Sequence, residues 1–405
     1  MMPFDYYRKL GLGIMILSLV FGVTLTSCKK KSKKGFSAPQ SLAIKTPEVA
    51  VSFSHTPTFT VYQVEAGDTV SLFKAADCNQ ESLLGFGIVA DGRQEVDITL
   101  DALPALGTYP LYANRTNGEG KTSACSPRLG SYQLIDCPDG LYVPVEGSAR
   151  LGTKSFCVMV TEAKHGENDI PVPQYAGLPW TQISANDAKA ACQSIPLEHG
   201  SCDIISNPQW MTIARDLEAT AENWSGGEVG SGMLNRGFSQ SYDQNCLVAI
   251  SDPGNPYYGD QTWANKRTFT LSNGSEIWDL AGNVLEWVDW ATGGETLTSA
   301  PKTCQFGSGV LQELYEVNCS ALKADDYMPA NPAGIEWTSY NGSDFGVGGF
   351  LGTQEMVAES YDVGAVRGGD CNDWTSAGIY QLVLAAPAIS SNSLRGFRCV
   401  CTVTE

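Results

Sequence analysis

The cysteines constrain the possible folds of this chain more than any other feature. The chain has 13 Cys, and Cys28 stands at the end of an apolar N-terminal segment, which leaves 12. An even number of cysteines in an exported chain indicates disulfides. No two cysteines have CxxC spacing and the three His are scattered, so a zinc site is not expected. The sequence therefore predicts a loop-rich fold stapled by covalent bridges.

The first 27 residues have the composition of a targeting segment. Arg8 and Lys9 precede the apolar run Leu10–Thr24, which is short for a membrane span. The run leads into LTSC, which resembles a bacterial lipobox ending at Cys28. The resemblance implies a signal peptide over 1–27, a lipidated Cys28 and a basic tether over 28–46; an ordinary signal peptide is the alternative. We expect a membrane-anchored protein of the bacterial cell envelope, at the outer membrane or the cell surface.

The charge of the remaining chain argues against one class of partner. The whole chain has a formal net charge of −18, of which residues 1–27 contribute +1 and residues 28–34 contribute +5, so the remainder carries −24. So acidic a body repels phosphate backbones, and nucleic-acid binding is not expected. The acidic charge suits cationic or neutral partners.

Residues 47–134 have the pattern of an all-β domain. The segment PTFTVYQVEAGDTVSLF contains two alternating apolar runs around a Gly67-Asp68 turn, and further runs flank Gly107 and Gly118. Short strands at this spacing predict an immunoglobulin-like sandwich, and the segment also resembles the Ig-like modules of bacterial surface proteins. Cys78 and Cys125 are the two cysteines of this segment, so we expect them to pair.

Two helices are predicted near the start of the second domain, residues 135–405. Ser184 is a candidate N-cap with Asp187 three residues later. A second helix is predicted after Ser206-Asn207, with Pro208 at its first position. Its expected apolar face comprises Trp210, Ile213, Ala214 and Leu217.

Two later segments resemble a known family. They are DLAGNVLEWVDW, from Asp279 to Trp290, and the tail that opens RGGD at Arg367 and closes GFRC at Cys399. Together they resemble the signature of the formylglycine-generating-enzyme (sulfatase-modifying-factor) family, which has a C-type-lectin-like fold. The resemblance implies an α+β, loop-rich, lectin-like domain over 135–405, in which Cys192 bridges to Cys399.

The residues expected for catalysis are missing from this tail. Catalytic members of that family have two cysteines, three and eight residues after the last Gly of the RGG turn. The same positions after Gly369 hold Asn372 and Ala377 here. Shifting both positions one residue further along the chain does not give a Cys either. Cys371 lies nearby, but a copper site for thiol oxidation needs two thiolates. We therefore expect no copper and no enzyme activity, and we interpret Cys371 as a disulfide partner or buried thiol.

The family resemblance also implies a calcium site. The family binds calcium at the positions that match Asp279, Gly282, Val284 and Glu286. A tight turn between two acids can direct two carboxylates and two carbonyls at one point, and calcium prefers such oxygens. The alternative is a structural turn whose acids face solvent.

A polar and aromatic cluster follows the RGG turn and predicts a ligand-binding surface. Such side chains give adaptable hydrogen bonds and aromatic contacts of low entropy cost. The predicted ligand-binding residues are Asp370, Asn372, Asp373, Trp374, Thr375 and Tyr380. The tail also resembles the variable region of proteins diversified by retroelements, which share the lectin-like fold.

The function predicted from these observations is binding of a protein or glycan ligand at the cell envelope without catalysis. One alternative is an oxidoreductase that acts on protein cysteine, as the formylglycine-generating family does. A second is a retroelement-diversified receptor or adhesin, and a third is an envelope structural factor without a discrete ligand.

Overall fold

The fold is built mainly from β-sheets, with few helices. The computed structural model describes residues 36–138, 140–241, 243, 246–290, 310–317, 322–352, 363–387 and 391–403. The predicted signal peptide and the basic residues that follow Cys28 lie outside the described residues. Residues Ala38–Glu405 belong to one compact unit.

The first eight strands of the described chain form two sheets. They are β1 (Ser41–Thr46), β2 (Val51–Ser52), β3 (Thr58–Tyr62), β4 (Thr69–Phe73), β5 (Leu83–Ile88), β6 (Glu95–Thr99), β7 (Gly107–Thr116) and β8 (Gly130–Leu134). One sheet has the order β1-β3-β6 and the other the order β2-β8-β7-β4-β5. A hydrophobic core that includes Phe59, Ile98, Val70 and Leu111 contains side chains from both sheets.

The first strand begins earlier than the predicted domain boundary at residue 47. Strand β1 spans Ser41–Thr46, within the predicted tether over 28–46, and it pairs antiparallel with β3. Leu42 and Ile44 alternate along it and pack against the hydrophobic core. These two apolar residues therefore extend the first set of sheets into the predicted tether.

Fourteen further strands and four helices lie in the described residues after Leu134. The strands are β9 (Tyr142–Val145), β10 (Phe156–Met159), β11 (Lys164–His165), β12 (Pro171–Val172), β13 (Ser201–Ile204), β14 (Thr268–Thr270), β15 (Glu276–Trp278), β16 (Leu285–Val288), β17 (Val310–Gln312), β18 (Phe350–Gly352), β19 (Val363–Gly368), β20 (Gly378–Pro387), β21 (Arg395–Phe397) and β22 (Cys399–Thr402). The helices are α1 (Ala185–Gln193), α2 (Asn207–Glu218), α3 (Ala324–Tyr327) and α4 (Gly342–Phe345). The larger sheets have the orders β13-β22-β10-β9 and β17-β18-β20-β19-β16-β21.

Both predicted helices are present, and the predicted cap Ser184 begins the first. The Ser184 hydroxyl accepts a hydrogen bond from the Asp187 backbone N–H at 3.1 Å at the start of α1. Ser206 and Gln209 form a reciprocal capping box at the start of α2. The predicted apolar face of α2 is fully buried in the larger hydrophobic core. Local capping and the 3.6-residue apolar period thus agree in this segment.

Five disulfides connect all ten cysteines that the structure describes. They are Cys78–Cys125, Cys137–Cys157, Cys192–Cys399, Cys202–Cys401 and Cys246–Cys371. The two predicted pairs, Cys78–Cys125 and Cys192–Cys399, are both among them. Cys304 and Cys319 lie outside the described residues.

The predicted site residues lie on, or in the turns beside, neighbouring strands of the six-stranded sheet. Strand β16 pairs antiparallel with β19 and parallel with β21, so Glu286 lies opposite Arg367 on one side and Gly396 on the other. The turn Asp279–Val284 leads into β16, and the segment 369–377 connects β19 to β20. The sheet therefore brings the two family-like segments together, although they are separated by about eighty residues of sequence.

Candidate functional site

The turn predicted to bind calcium lies in a buried network of charged side chains. Asp279 is buried and has a φ of 52°. Its carboxylate oxygens accept hydrogen bonds from Arg267 Nε at 2.7 Å and Arg267 Nη2 at 2.5 Å. Asp279 therefore has a guanidinium partner in the bidentate geometry that suits a carboxylate.

Glu286, the second predicted carboxylate ligand, has an arginine of its own. Arg398 Nε and Nη2 donate to the two Glu286 oxygens at 3.1 and 2.8 Å. The same guanidinium donates to the carbonyls of Met159 and Trp278, each at 2.8 Å. Burial raises the pKa of Glu286 to about 7, and the positive charge of Arg398 opposes this rise.

A third carboxylate completes this charged network. Glu162 accepts hydrogen bonds from Lys164 Nζ at 3.1 Å and from Asn283 Nδ2 at 2.7 Å. Asn283 Oδ1 in turn accepts the Val248 backbone N–H at 3.0 Å. Three buried carboxylates and three buried cations therefore balance in this part of the described chain.

The predicted calcium ligands do not fit a calcium ion in this arrangement. Calcium takes six to eight oxygen ligands, and guanidinium groups already engage all four carboxylate oxygens of Asp279 and Glu286. Gly282 has a φ of 78°, and a Cβ there would lie 2.7 Å from the Phe238 backbone, so the turn requires glycine. Val284 places its side chain in the interior. Calcium stays a prediction, and its expected carboxylates have protein cations as partners.

The predicted ligand-binding residues form a turn with reciprocal hydrogen bonds. The Asp370 backbone N–H donates to Asp373 Oδ2 at 2.9 Å, and the Asn372 backbone N–H donates to Asp370 Oδ1 at 2.8 Å. Gln381 Nε2, from strand β20, also donates to Asp373 Oδ2 at 2.9 Å. These bonds fix the turn over 370–373 against the sheet.

Trp374 is the exposed aromatic residue of this turn. Its side chain is 36% exposed, and the neighbouring Thr375 is also exposed. The backbone of Trp374 has a φ of 50°, a conformation that bulky residues rarely adopt. Such strain persists only where the surroundings hold it, and it is concentrated at functional sites.

A distant loop without any predicted role in the site supports this turn. The Trp374 backbone N–H donates to the Ser239 carbonyl at 2.8 Å, and the disulfide Cys246–Cys371 joins the same two segments. Phe238, which packs with both cysteines, contacts the exposed ring of Tyr258 with the two ring planes tilted and their centroids 3.9 Å apart. We call the side chains of Asn372, Trp374, Thr375 and Tyr258 the aromatic turn surface. No local sequence signal connects Tyr258 with residues more than a hundred positions later.

Tyr380 does not belong to this surface, which corrects the sequence interpretation. Its side chain is fully buried in β20, between β18 and β19. The hydroxyl donates to Glu218 Oε2 at 2.6 Å. Glu218 also accepts the backbone N–H groups of Ala330 and Asn331, at 2.7 and 2.9 Å. Tyr380 is therefore part of a buried polar cluster that ties β20 to the end of α2.

The two acids of the turn have perturbed ionisation. Burial, followed by the negative charge of Asp373, raises the pKa of Asp370 to about 7. Burial also raises the pKa of Asp373, although hydrogen bonds from the Asp370 backbone and Gln381 oppose the rise. Arg395 is the nearby cation that favours the charged form of Asp370.

Cys371 is buried and forms a disulfide with Cys246, which agrees with its interpretation as a disulfide partner. Because all the cysteines in the described ranges form disulfides, this part of the chain offers no pair of thiolates to copper.

The predicted lipid site, Cys28, lies outside the described residues. Among the residues that are described, no helix is long and apolar enough to cross a membrane.

Comparisons with known proteins add little to this picture. No protein-family model matches the chain, and no curated protein matches it. Among solved structures, Treponema denticola variable protein 1 is similar, with 11% sequence identity and a TM-score of 0.29 over 74% of this chain and 99% of that chain. At this TM-score the likeness is too weak to support a fold or a function. The resemblance to the formylglycine-generating family therefore stays a prediction.

Proposed function

We propose that this protein binds a protein or glycan ligand through the aromatic turn surface and catalyses no reaction there. The observation that carries the proposal is the exposed Trp374 on a strained backbone, held by a hydrogen bond to Ser239 and by the Cys246–Cys371 disulfide. A rigid exposed aromatic side chain gives a large contact area at low entropy cost, and Trp and Tyr dominate binding hot spots. Tyr258 adds a second aromatic contact on the supporting loop.

The finer fold assignment belongs to the same proposal. We propose an immunoglobulin-like spacer for the two N-terminal sheets and a C-type-lectin-like head for the residues after 134. The two-sheet arrangement of β1–β8 and the loop-rich, disulfide-stapled second part support these assignments. Lipidation of Cys28 would attach the spacer to the cell envelope and present the head to its ligand.

An oxidoreductase is the less favoured alternative. A thiol oxidase needs a free thiolate, and Cys371, the cysteine closest to the expected nucleophile, is bonded to Cys246. Diversification by a retroelement would be a variant of the binding proposal, because it would act on the exposed residues of the same tail. A template copy of the tail's coding sequence beside a reverse-transcriptase gene would support that variant.

The proposal is tested by binding of the full-length protein, purified in detergent, to arrays of glycans and of surface proteins. We expect saturable binding to at least one ligand, lost in Trp374→Ala and weakened in Tyr258→Ala. The matched control is Phe86→Ala, which removes a more exposed aromatic ring from β5 in the N-terminal sheets. Binding that survives Trp374→Ala but fails in Phe86→Ala would move the ligand site to the spacer.

The enzyme alternative needs a separate assay. The protein is incubated with a cysteine-containing sulfatase peptide, copper and oxygen, and the peptide is analysed by mass spectrometry. We expect unmodified peptide. Formylglycine that appears with the native protein and disappears in Cys371→Ser would reject the binding proposal in favour of catalysis.

A further inference from the structure

The turn beneath the aromatic turn surface contains hydrogen-bond acceptor oxygens that the hydrogen bonds within the turn do not use. Gln381 is 1% exposed, and its Oε1 atom has no hydrogen-bond partner among the described residues. The same amide group donates through Nε2 to Asp373 Oδ2 at 2.9 Å. A buried carbonyl oxygen without a donor is costly, so it indicates a missing partner.

The carboxylates beside this amide have acceptors to spare. The hydrogen bonds of the turn engage Oδ1 of Asp370 and Oδ2 of Asp373, and within the described chain the second oxygen of each carboxylate accepts none. Gln381 Oε1 lies against Gly369, the residue before Asp370, so closely that a Cβ there would approach it to 2.1 Å. Two carboxylate oxygens and one amide oxygen are therefore available around one turn.

The charge of this turn suits one monovalent cation. Asp370 and Asp373 contribute two negative charges when both are ionised, and Arg395 supplies one positive charge near Asp370. The remaining charge is a single negative one. A divalent metal ion would leave an excess of positive charge and would need more oxygen ligands than the turn provides.

We propose that Asp370, Asp373 and Gln381 bind a primary ammonium group of the ligand, a lysine side chain or an N-terminal amine. An ammonium group has three donors and no acceptor, which matches the three available oxygens. Trp374, next in sequence to Asp373, provides an exposed ring against which the methylene chain of a lysine can pack. The strongly acidic body of the protein favours the approach of a cationic ligand.

This inference rests on the proposed binding function and names the chemical group that the ligand presents. It also implies a dependence on pH. An ammonium ligand favours the ionised form of Asp370, whose pKa is raised to about 7 in the free protein. Affinity should therefore rise as the pH increases from 6 to 8, and ligand binding should release protons.

The experiment uses the full-length protein labelled with 5-fluorotryptophan, followed by fluorine NMR. The Trp374 resonance is identified by its absence in Trp374→Phe. The probes are Nα-acetyl-lysine methylamide, its uncharged norleucine analogue, and calcium chloride alone. We expect a saturable shift of the Trp374 resonance with the lysine probe, and none with the other two.

Three variants make the test specific. Asp373→Asn keeps the acceptor for the Asp370 backbone but removes the charge, and it should weaken lysine binding by about tenfold or more, because hydrogen bonds to charged groups are the strong ones. Gln381→Met, a substitution of similar volume, should also weaken it. Asp91→Asn, an exposed acid in the N-terminal sheets, should leave it unchanged.

Several results would overturn the inference. They are equal shifts with the lysine and norleucine probes, a saturable shift with calcium alone, or undiminished lysine binding in both Asp373→Asn and Gln381→Met. The same variants, tested on the arrays described above, separate the two proposals. Ligand binding that needs Trp374 but not Asp373 or Gln381 removes the ammonium site and leaves the binding function, whereas binding that needs none of them removes both.

Discussion

Replacement of Arg398 by Met tests the buried charged network directly. The substitution removes both hydrogen bonds to Glu286 and leaves the carbonyls of Met159 and Trp278 without their donor. Removal of one partner from a buried ion pair destabilises a protein by about 3–5 kcal/mol. We therefore expect Arg398→Met to lower the free energy of unfolding by about 4 kcal/mol near neutral pH.

The pH dependence of this loss follows from Glu286. Without Arg398, the buried carboxyl avoids an unpaired charge by remaining protonated in the folded state. For an unfolded pKa of about 4.3, holding that proton costs about 3.7 kcal/mol at pH 7 but only about 1 kcal/mol at pH 5. A carboxyl whose folded pKa is raised contributes its stability at low pH and loses it as the pH rises. In the native protein the pKa of Glu286 is itself raised to about 7, so both proteins carry this cost up to that pH, and above it only the native protein ionises the carboxyl beside Arg398. The difference between native protein and Arg398→Met should therefore change little from pH 5 to pH 7 and grow above pH 7.

The measurement is urea unfolding at pH 6 and pH 8.5 with the disulfides intact. Arg93→Met is the control, because Arg93 and Glu95 form an exposed pair 3.8 Å apart whose loss should cost about 0–1 kcal/mol. The double variant Arg398→Met with Glu286→Leu removes both charges and should recover part of the stability. A loss of the control's size, or a loss that shrinks with rising pH, would refute the assigned role of Arg398.

Three further predictions concern other parts of the molecule. A calcium chelator should leave the melting temperature unchanged, because Asp279 and Glu286 already have guanidinium partners; a lower melting temperature in chelator would instead support the calcium site predicted from the sequence. Tyr380→Phe should destabilise the fold by about 1–3 kcal/mol in thermal or urea unfolding, since it removes a donor from the buried carboxylate of Glu218, and an unchanged stability would contradict the buried polar cluster. Cys28→Ser should release the protein from membranes or stall its processing, which fractionation and radiolabelled-lipid incorporation would measure, and retention with intact labelling would exclude lipidation at this residue.

Features with a local signal were predictable from the sequence. Ser184 and Ser206 begin the two long helices because a capping side chain and an apolar period occur together, and both signals lie within a few residues. Cys78 and Cys125 had no competing partner in their segment, so their pairing followed from counting. The Cys192–Cys399 bridge came only from the family resemblance, because a separation of 207 residues carries no local information.

The candidate site was less predictable because long-range contacts decide it. Asp279 was expected to bind calcium, but its partner Arg267 becomes visible only when β14 and β15 are paired. Tyr380 was assigned to the surface because polar residues precede it, whereas β20 is an interior strand buried on both faces. The loop that contains Tyr258 reaches the turn through a disulfide and two backbone hydrogen bonds. None of these contacts leaves a pattern in the sequence around the residues that make it.

The position of β22 has a consequence for how the chain would mature during the export that we propose. This strand, Cys399–Thr402, inserts between β13 and β10, and two disulfides join it to α1 and β13, which lie about two hundred residues earlier. If the chain is exported from its N-terminus, as proposed, β10 and β13 emerge long before β22. The four-stranded sheet must therefore wait with an open gap and with unpaired thiols at Cys192 and Cys202 until residues 399–402 have crossed. During that interval the earlier thiols can pair wrongly, so the yield of correctly folded protein should depend on a disulfide isomerase in the receiving compartment.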